Sequence, residues 1–401
     1  MKAGMLNLST QGLKAQITQW IARIGELREM LSTVTDMYGD LVGIDLDDSS
    51  ILSISLHHTV GVARVVHAEA IELPVGAVVD NSIIDNVAVV AVVKKMLEKA
   101  NLQTTNTAIA LPGSKVVIKQ IKLDLKLSDS DVEARAWQEA RRSFPDIVKS
   151  LYLDFSQLEE IDRDKNKKYS IVMVAARKED MMPRVDALSQ AGLSTKIVDV
   201  DYYALERVYS LLASQLSEDH VEKHVAMIDF NPHNIVFIVM HKKKMIYYNC
   251  QNYVGDALLP IVQKIMGFTV SVPVKAKSVS LPSLQPLPSL QIPPPAVEST
   301  VDITALDDEK KTHIVMSIRR LFQSFYAEKT GKTIDCILMT GRCALITEMA
   351  QHVGKALDTP LVVGNPLLSL KISEKLDGEK LLKLGPAFAL SCGLAMRGIP
   401  V

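Results

Sequence analysis

The sequence predicts a duplicated, two-lobed α/β fold with a subdomain inserted into its first half. Three observations carry this reading. The stretch LVGIDLDDSSILSIS (Leu41 to Ser55) aligns without a gap to VAMIDFNPHNIVFIV (Val225 to Val239), Asp229 lying 184 positions after Asp45. Each copy reads strand, aspartate, short polar loop, strand, which implies two similar domains facing one another. The segment between them, Ser114 to Thr195, has no counterpart in the second half. A chain of 401 residues also exceeds what one hydrophobic core usually serves.

The first segment, residues 1–37, is a helix candidate with Leu13, Ile17, Trp20, Ile24, Leu27, Leu31 and Val34 on one seam at alternating spacings of four and three. Such a seam needs a partner surface. Its charges cancel, which favours protein docking over anionic lipid, and a start of translation nearer Met37 is the other alternative.

From Leu41 the pattern turns to strands near Val42 to Leu46, Ile51 to Leu56 and Arg64 to Leu73, a helix within Asn81 to Ala100, and a strand Thr107 to Leu111 stopped by Pro112-Gly113. Within the insertion, a strand precedes a helix at Asp129 to Ser143, then a strand pair and a helix at Lys178 to Ala191. The charged run Ile161 to Tyr169 reads as a solvated hairpin tip. In the second half, a third strand at Met245 to Asn249, a loop through Gly255, a helix from Asp256 and a strand Cys336 to Met339 repeat the order of the first. His241 to Lys244 reads as the hairpin turn before that third strand.

The resulting domains are 38–113 together with 196–222 and 375–401, the insertion 114–195, and 223–374. Residues 272–300 hold seven of the chain's 17 prolines among Ser, Gln and Val, a mixture that cannot build a core and predicts a flexible excursion. A polyproline ligand role there is the alternative. The C-terminal Leu384 to Arg397 is a glycine-punctuated helix suited to packing on the first domain.

Composition excludes several classes. With Lys+Arg 45 against Asp+Glu 46 the net charge is −1, which argues against bulk nucleic-acid affinity. The longest near-apolar stretch, Val87 to Val93, falls far short of the roughly 20 residues of a membrane span, and no signal sequence opens the chain. A cytoplasmic protein is expected. Cys250, Cys336, Cys343 and Cys392 are too scattered for a disulfide framework and predict buried, reduced thiols. Gly331-Lys332-Thr333 ends like a P-loop but lacks its upstream glycine, His220 and His224 have no third metal ligand nearby, and His57-His58 has no nucleophile partner.

The cleft between two such halves is suited to a nucleotide. Asp45 and Asp229, each at the end of a repeated strand, have the oxygen chemistry that magnesium takes, and the loops after them would present backbone N–H groups to phosphates. A turn or cap for each aspartate is the structural alternative.

At this point the residues resemble a family, the PilM family of type IV pilus assembly, actin-like ATPases similar to FtsA. The resemblance covers Tyr38 to Gly398. It rests on GIDLDDSS, ALPGSKVVIKQIKL, WQEARRSFPDIVKSLYLDF, VMVAARKED, QAGLSTKIVDVDYYAL, MIDF, LMTG, GNPLLSL and AFALSCGLAMRG, in that order. It implies an actin-like (ribonuclease H-like) fold with an FtsA-type inserted subdomain and ATP with magnesium in the cleft. Asp45, Ser49 and Ser50 would then fall in the first phosphate loop, Asp229 and Asn231 in the second. Gly255 would survive from a glycine pair, Gly341 would flank the adenosine, and Asp45 and Asp229 would hold magnesium through water; as catalytic candidates, Asp229 is joined by Gln251, the polar residue near the second connecting loop nominated to position a water.

It also implies a scaffold peripheral to the inner membrane, holding the N-terminal cytoplasmic tail of the membrane protein PilN on the side of the insertion. That scaffold would link the alignment complex to the pilus motor ATPase, with self-association an added option. Tail capture in a groove or along a strand edge is the expected mode.

The departures from the family point one way. Asp47 and Asp48 follow the first strand where relatives have glycine, Leu52 replaces a lysine, Asn231-Pro232 replaces Gly-Ala, and Arg342-Cys343 follows Gly341. A carboxylate added about 4 Å from a phosphate costs on the order of 1 to 4 kcal/mol. The sequence therefore leaves ATP binding open and argues against efficient hydrolysis. Its rivals are an active actin-fold ATPase or kinase, which needs intact glycine loops, and an FtsA-type filament protein, expected to carry an amphipathic membrane helix after its closing helix.

Overall fold

Two five-stranded motifs of one topology organise the chain. The computed structural model describes residues 38–59, 62–100, 102–161, 167–217, 222–252, 257–268 and 307–399. The expected N-terminal helix, the proline-rich excursion, Gly255, Asp256 and His220 lie outside the described residues.

The first motif begins with β1 (Val42–Leu46), β2 (Ser50–Thr59) and β3 (Val62–Glu72), an antiparallel meander. After a small ribbon, β4 (Val78–Val79) and β5 (Ser82–Ile83), helix α1 (Asn86–Lys99) crosses to β6 (Asn106–Leu111), parallel to β1. Asp85 starts α1 by accepting the Ala88 N–H at 3.0 Å, and Val89, Val90, Val93 and Met96 form its buried stripe.

The insertion follows: β7 (Val116–Leu123), α2 (Asp129–Ser143), β8 (Leu151–Ile161), β9 (Lys167–Arg177) and α3 (Lys178–Gln190). Its sheet runs β7-β9-β8, all antiparallel. Ala136 and Ala140 of α2 pack on Leu151, Leu153, Met173 and Ala175, and Lys119 pairs with Glu139 beside them. The chain returns through β10 (Ser194–Val200), parallel to β6, into α4 (Asp201–Leu212).

The second motif repeats the first. β11 (His224–Phe230), β12 (Asn234–His241) and β13 (Lys244–Asn252) form the meander, then come α5 (Leu259–Met266) and α6 (Asp308–Glu328). β14 (Cys336–Thr340) runs parallel to β11, α7 (Thr347–Ala356) follows, and β15 (Leu361–Val363) runs parallel to β14. The orders β3-β2-β1-β6-β10 and β13-β12-β11-β14-β15 match strand for strand and direction for direction. This is the duplicated actin-like, ribonuclease H-like arrangement.

The end of the chain ties the lobes together. β16 (Lys371–Ile372) pairs in parallel with Arg64 and Val65 of β3, so residues within the stretch read from sequence as second domain supply a sixth strand to the first sheet. Helix α8 (Gly378–Leu384) ends where the expected closing helix, Leu384 to Arg397, begins, and that stretch is divided into a 3-10 turn starting Gly385-Pro386, α9 (Ala389–Ala395) and a final 3-10 turn, Met396–Gly398. Proline at the start of the first turn has no N–H to continue α8. α9 lies so close to the first lobe that a Cβ on Gly43 would stand 2.0 Å from the Ser391 carbonyl oxygen.

Strand alternation then fixes the cleft. Val42, Ile44 and Leu46 of β1 face α1 and α3, with Val89, Val93, Met96, Ala187 and Leu188. Gly43 and Asp45 therefore face the other side, toward α9 and the second lobe. The largest core runs through both lobes, joining Leu52 and Ile54 to α4, β11, β12, β14 and α9.

Candidate functional site

Asp45 at the end of β1 and Asp229 near the end of β11 face one crevice between the lobes, lined also by Asp47, Asn231, Arg184 and Arg342. The twin hairpins thus direct their acids into shared space. Its water-accessible space is about 20 Å³, room for about one water molecule.

Arg342 fills it. The residue opens a short 3-10 turn directly after β14 and Gly341, and its side chain is 1% exposed. Its Nη1 lies 2.8 Å from Asp45 Oδ2 and 3.1 Å from Asp47 Oδ2. The same nitrogen donates to Asn231 Oδ1 at 3.2 Å, and Nε donates to Ser50 Oγ at 2.8 Å. The Arg342 backbone N–H also donates to Asn231 Oδ1, at 3.0 Å. One guanidinium therefore joins the loop after β1 to the loop after β11. Nη2 has no hydrogen-bond partner among the described residues.

The first loop is closed by Asp47. Its Oδ1 accepts from Ser49 N at 2.7 Å, Ser49 Oγ at 2.8 Å and Ser50 N at 2.9 Å, an aspartate turn in which the side chain takes up the loop's own N–H groups. Asp48 accepts from the backbone of Asp80 and Asn81, both at 2.8 Å, holding the β4–β5 turn beside the cleft. From α3, Arg184 donates to the Leu46 and Asn81 carbonyls at 3.0 and 2.8 Å, leaving its Nε unpartnered among the described residues.

In the second loop both oxygens of Asp229 are engaged: Thr340 Oγ1 donates at 2.8 Å and Asn231 Nδ2 at 2.7 Å. Gly341 has φ +90°, and a Cβ there would meet the Phe230 carbonyl oxygen at 2.5 Å, so glycine is required for β14 to turn tightly across β11. Gln251, on β13 opposite Ile235, does not line the cleft.

Asp201 also lines the cleft; it opens α4, and sequence reasoning passed it over. It accepts from Gly113 N at 3.0 Å and from Tyr202 N at 2.6 Å. A Cβ on Gly113 would lie 2.6 Å from the Tyr202 ring, which is why the Pro112-Gly113 stop is glycine. The signal available in sequence was an acid at the strand-to-helix junction between β10 and α4. For Arg342 it was a charge placed immediately after a buried strand.

Burial dominates the electrostatics. It lifts Asp45 to about 6, against the pull of Arg342, with Asp47 and Asp229 pushing the same way as burial. It lifts Asp201 to about 7, opposed by the N–H groups of Gly113 and Tyr202. Asp229 is raised by burial and held back by Thr340 and Asn231. Burial lowers Arg184, whereas at Arg342 the three acids together outweigh burial and raise it.

No group of three metal-ligating side chains occurs among the described residues, the cleft included, and the His224 ring lies tilted against His241 with Asp335 beside it. Cys336, Cys343 and Cys392 are buried and Cys250 half-buried, all as free thiols. No helix among the described residues is long and apolar enough to cross a membrane.

A family model described as type IV pilus assembly protein PilM matches residues 43–283 and 309–399. Among solved structures, the chain is similar to one in a PilM-PilN type IV pilus biogenesis complex. It is 17% identical over 90% of this chain and 98% of that one, with a TM-score of 0.68. It is also similar to ethanolamine utilization protein EutJ from Carboxydothermus hydrogenoformans, 9% identical over 96% and 99%, TM-score 0.45. A third is MreB 5 of Spiroplasma citri bound to AMPPNP, 10% identical over 88% and 94%, TM-score 0.38.

Proposed function

Because the chain belongs to the type IV pilus assembly protein PilM family, we propose that it is the actin-like scaffold of a pilus machine, docking the N-terminal cytoplasmic tail of PilN. The observation that carries this is the match of one family model across both lobes and the insertion. The fold shared with the chain of a PilM-PilN complex over 90% of this chain supports it.

On this reading the protein sits at the inner membrane through its partner and links the alignment complex to the motor ATPase. Among the described strands of the inserted sheet, β7 and β8 each pair with β9 alone, and a strand in that outer position is the place where an extended tail could add as a further strand. Nucleotide binding in general belongs to folds of this kind. ATP at this cleft, with magnesium on Asp45 and Asp229, would have to displace the Arg342 guanidinium, which lies against Asp45 and Asp47.

Calorimetric titration with a synthetic peptide of the PilN tail from the same organism tests the proposal. Saturable binding, abolished by scrambling the peptide, is expected. Absence of heat and of any tail-dependent shift in melting temperature would remove PilN from the reading.

A further inference from the structure

We infer that the Asp47–Arg342 pair is an internal substitute for a phosphate and its metal, so that the cleft is held closed by the chain's own side chains with no nucleotide. This goes beyond the pilus reading and stands independently of it.

The first support is what the loop donors touch. A phosphate cradled by the first hairpin loop would need the N–H groups of that loop. The N–H groups of Ser49 and Ser50 and the Ser49 hydroxyl all end on Asp47 Oδ1, at 2.7, 2.9 and 2.8 Å. An anion already occupies the cradle, and it is covalently part of the loop.

The second support is charge. Asp45, Asp47 and Asp229 face one buried space, and carboxylates so placed need a cation between them. A divalent metal would be that cation in a nucleotide site. Here the Arg342 guanidinium meets Asp45 Oδ2 at 2.8 Å and Asp47 Oδ2 at 3.1 Å. Both are charged pairs at hydrogen-bonding distance, with Ser50 and Asn231 completing the set.

The third support is the second loop. Asn231 Oδ1 accepts from the Arg342 backbone N–H at 3.0 Å, its Nδ2 donates to Asp229 at 2.7 Å, and Pro232 has no N–H to offer. Both loops thus direct their polar groups at the internal pair.

Melting curves of the full chain with and without millimolar ATP and magnesium test this, beside an Asp47→Ala, Arg342→Ala double variant that removes both mimics. The wild-type midpoint should stay unmoved. The double variant should melt lower without ligand and recover about 5 °C with ATP and magnesium, since only the folded form binds. A wild-type midpoint raised by ATP and magnesium overturns the inference, and so does a folded double variant indifferent to them. If the double variant does not fold, Asp47→Gly alone, which frees the Ser49 and Ser50 N–H groups and leaves Arg342 paired with Asp45, decides in its place by the same readout.

Discussion

Arg342 Nη1 meets Asp45 Oδ2 at 2.8 Å across 297 positions of sequence, and this buried contact joins the two lobes. Removing one partner of a buried pair leaves the other charge uncompensated. Arg342→Met should therefore cost about 3 to 5 kcal/mol in urea unfolding at pH 8. The orphaned acids can take up protons, and burial already raises Asp45 to about 6, so the deficit should shrink toward pH 5.5. An equal deficit at both pH values would contradict the pairing.

Asp47 organises its loop as well as pairing with Arg342. Asp47→Asn keeps an oxygen for the N–H groups of Ser49 and Ser50, whereas Asp47→Ala leaves both without an acceptor. We expect Asp47→Ala to be the worse of the two, by about 2 kcal/mol in chemical denaturation.

Asp201 carries a pH signature. Its carboxyl is raised by burial from the ordinary 3.8 to about 7. Its contribution to stability is thus complete below about 4 and is lost as pH rises through 7, at up to about 1.4 kcal/mol per pH unit. Asp201→Asn retains an acceptor for Gly113 N and cannot titrate. Between pH 5 and 7 the variant's stability should fall less steeply than that of the wild type. Parallel profiles would place the proton elsewhere.

The β12–β13 turn is strained by its own residues. His241 pairs with Lys244, and Lys242 and Lys243 between them have φ of +49° and +63°. Two side chains in left-handed conformation match a type I′ turn, which favours Asn-Gly. Lys242→Asn with Lys243→Gly should raise stability by about 1 kcal/mol, read as a higher urea midpoint with unchanged slope.

Gly393 permits the closing helix to touch α4. A Cβ at that position would lie 2.0 Å from the Ala204 carbonyl oxygen. Gly393→Ala should cost about 3 kcal/mol and expose the C-terminal segment to limited proteolysis.

The duplicated sheets were legible because period-two runs of Val, Ile and Leu ending in aspartate repeat without a gap at Leu41 and Val225. Strand residues alternate faces, so the acids at the ends of β1 and β11 could be placed in one cleft from sequence. Gln251 shows where this fails: nearness to a loop in sequence says nothing of which way a strand residue points, and β13 carries it away from the cleft. Asp47 was read as an extra charge set against phosphate. Its bonds within its own loop were local and legible, but its pairing with Arg342 was not. That contact closes across 295 of the chain's 401 positions, and no local pattern records such a partner.

The polypeptide passes between the lobes more than once, forward beyond α4 and back through β16, where Lys371 and Ile372 lie beside Arg64 and Val65. Two tethers define an axle, so any relative motion of the halves is confined to rocking about the line through both. A protease nick in one tether would convert that rocker into a loose joint without separating the halves, and a gene split at residue 222 would leave the β3 edge bare on the amino-terminal product.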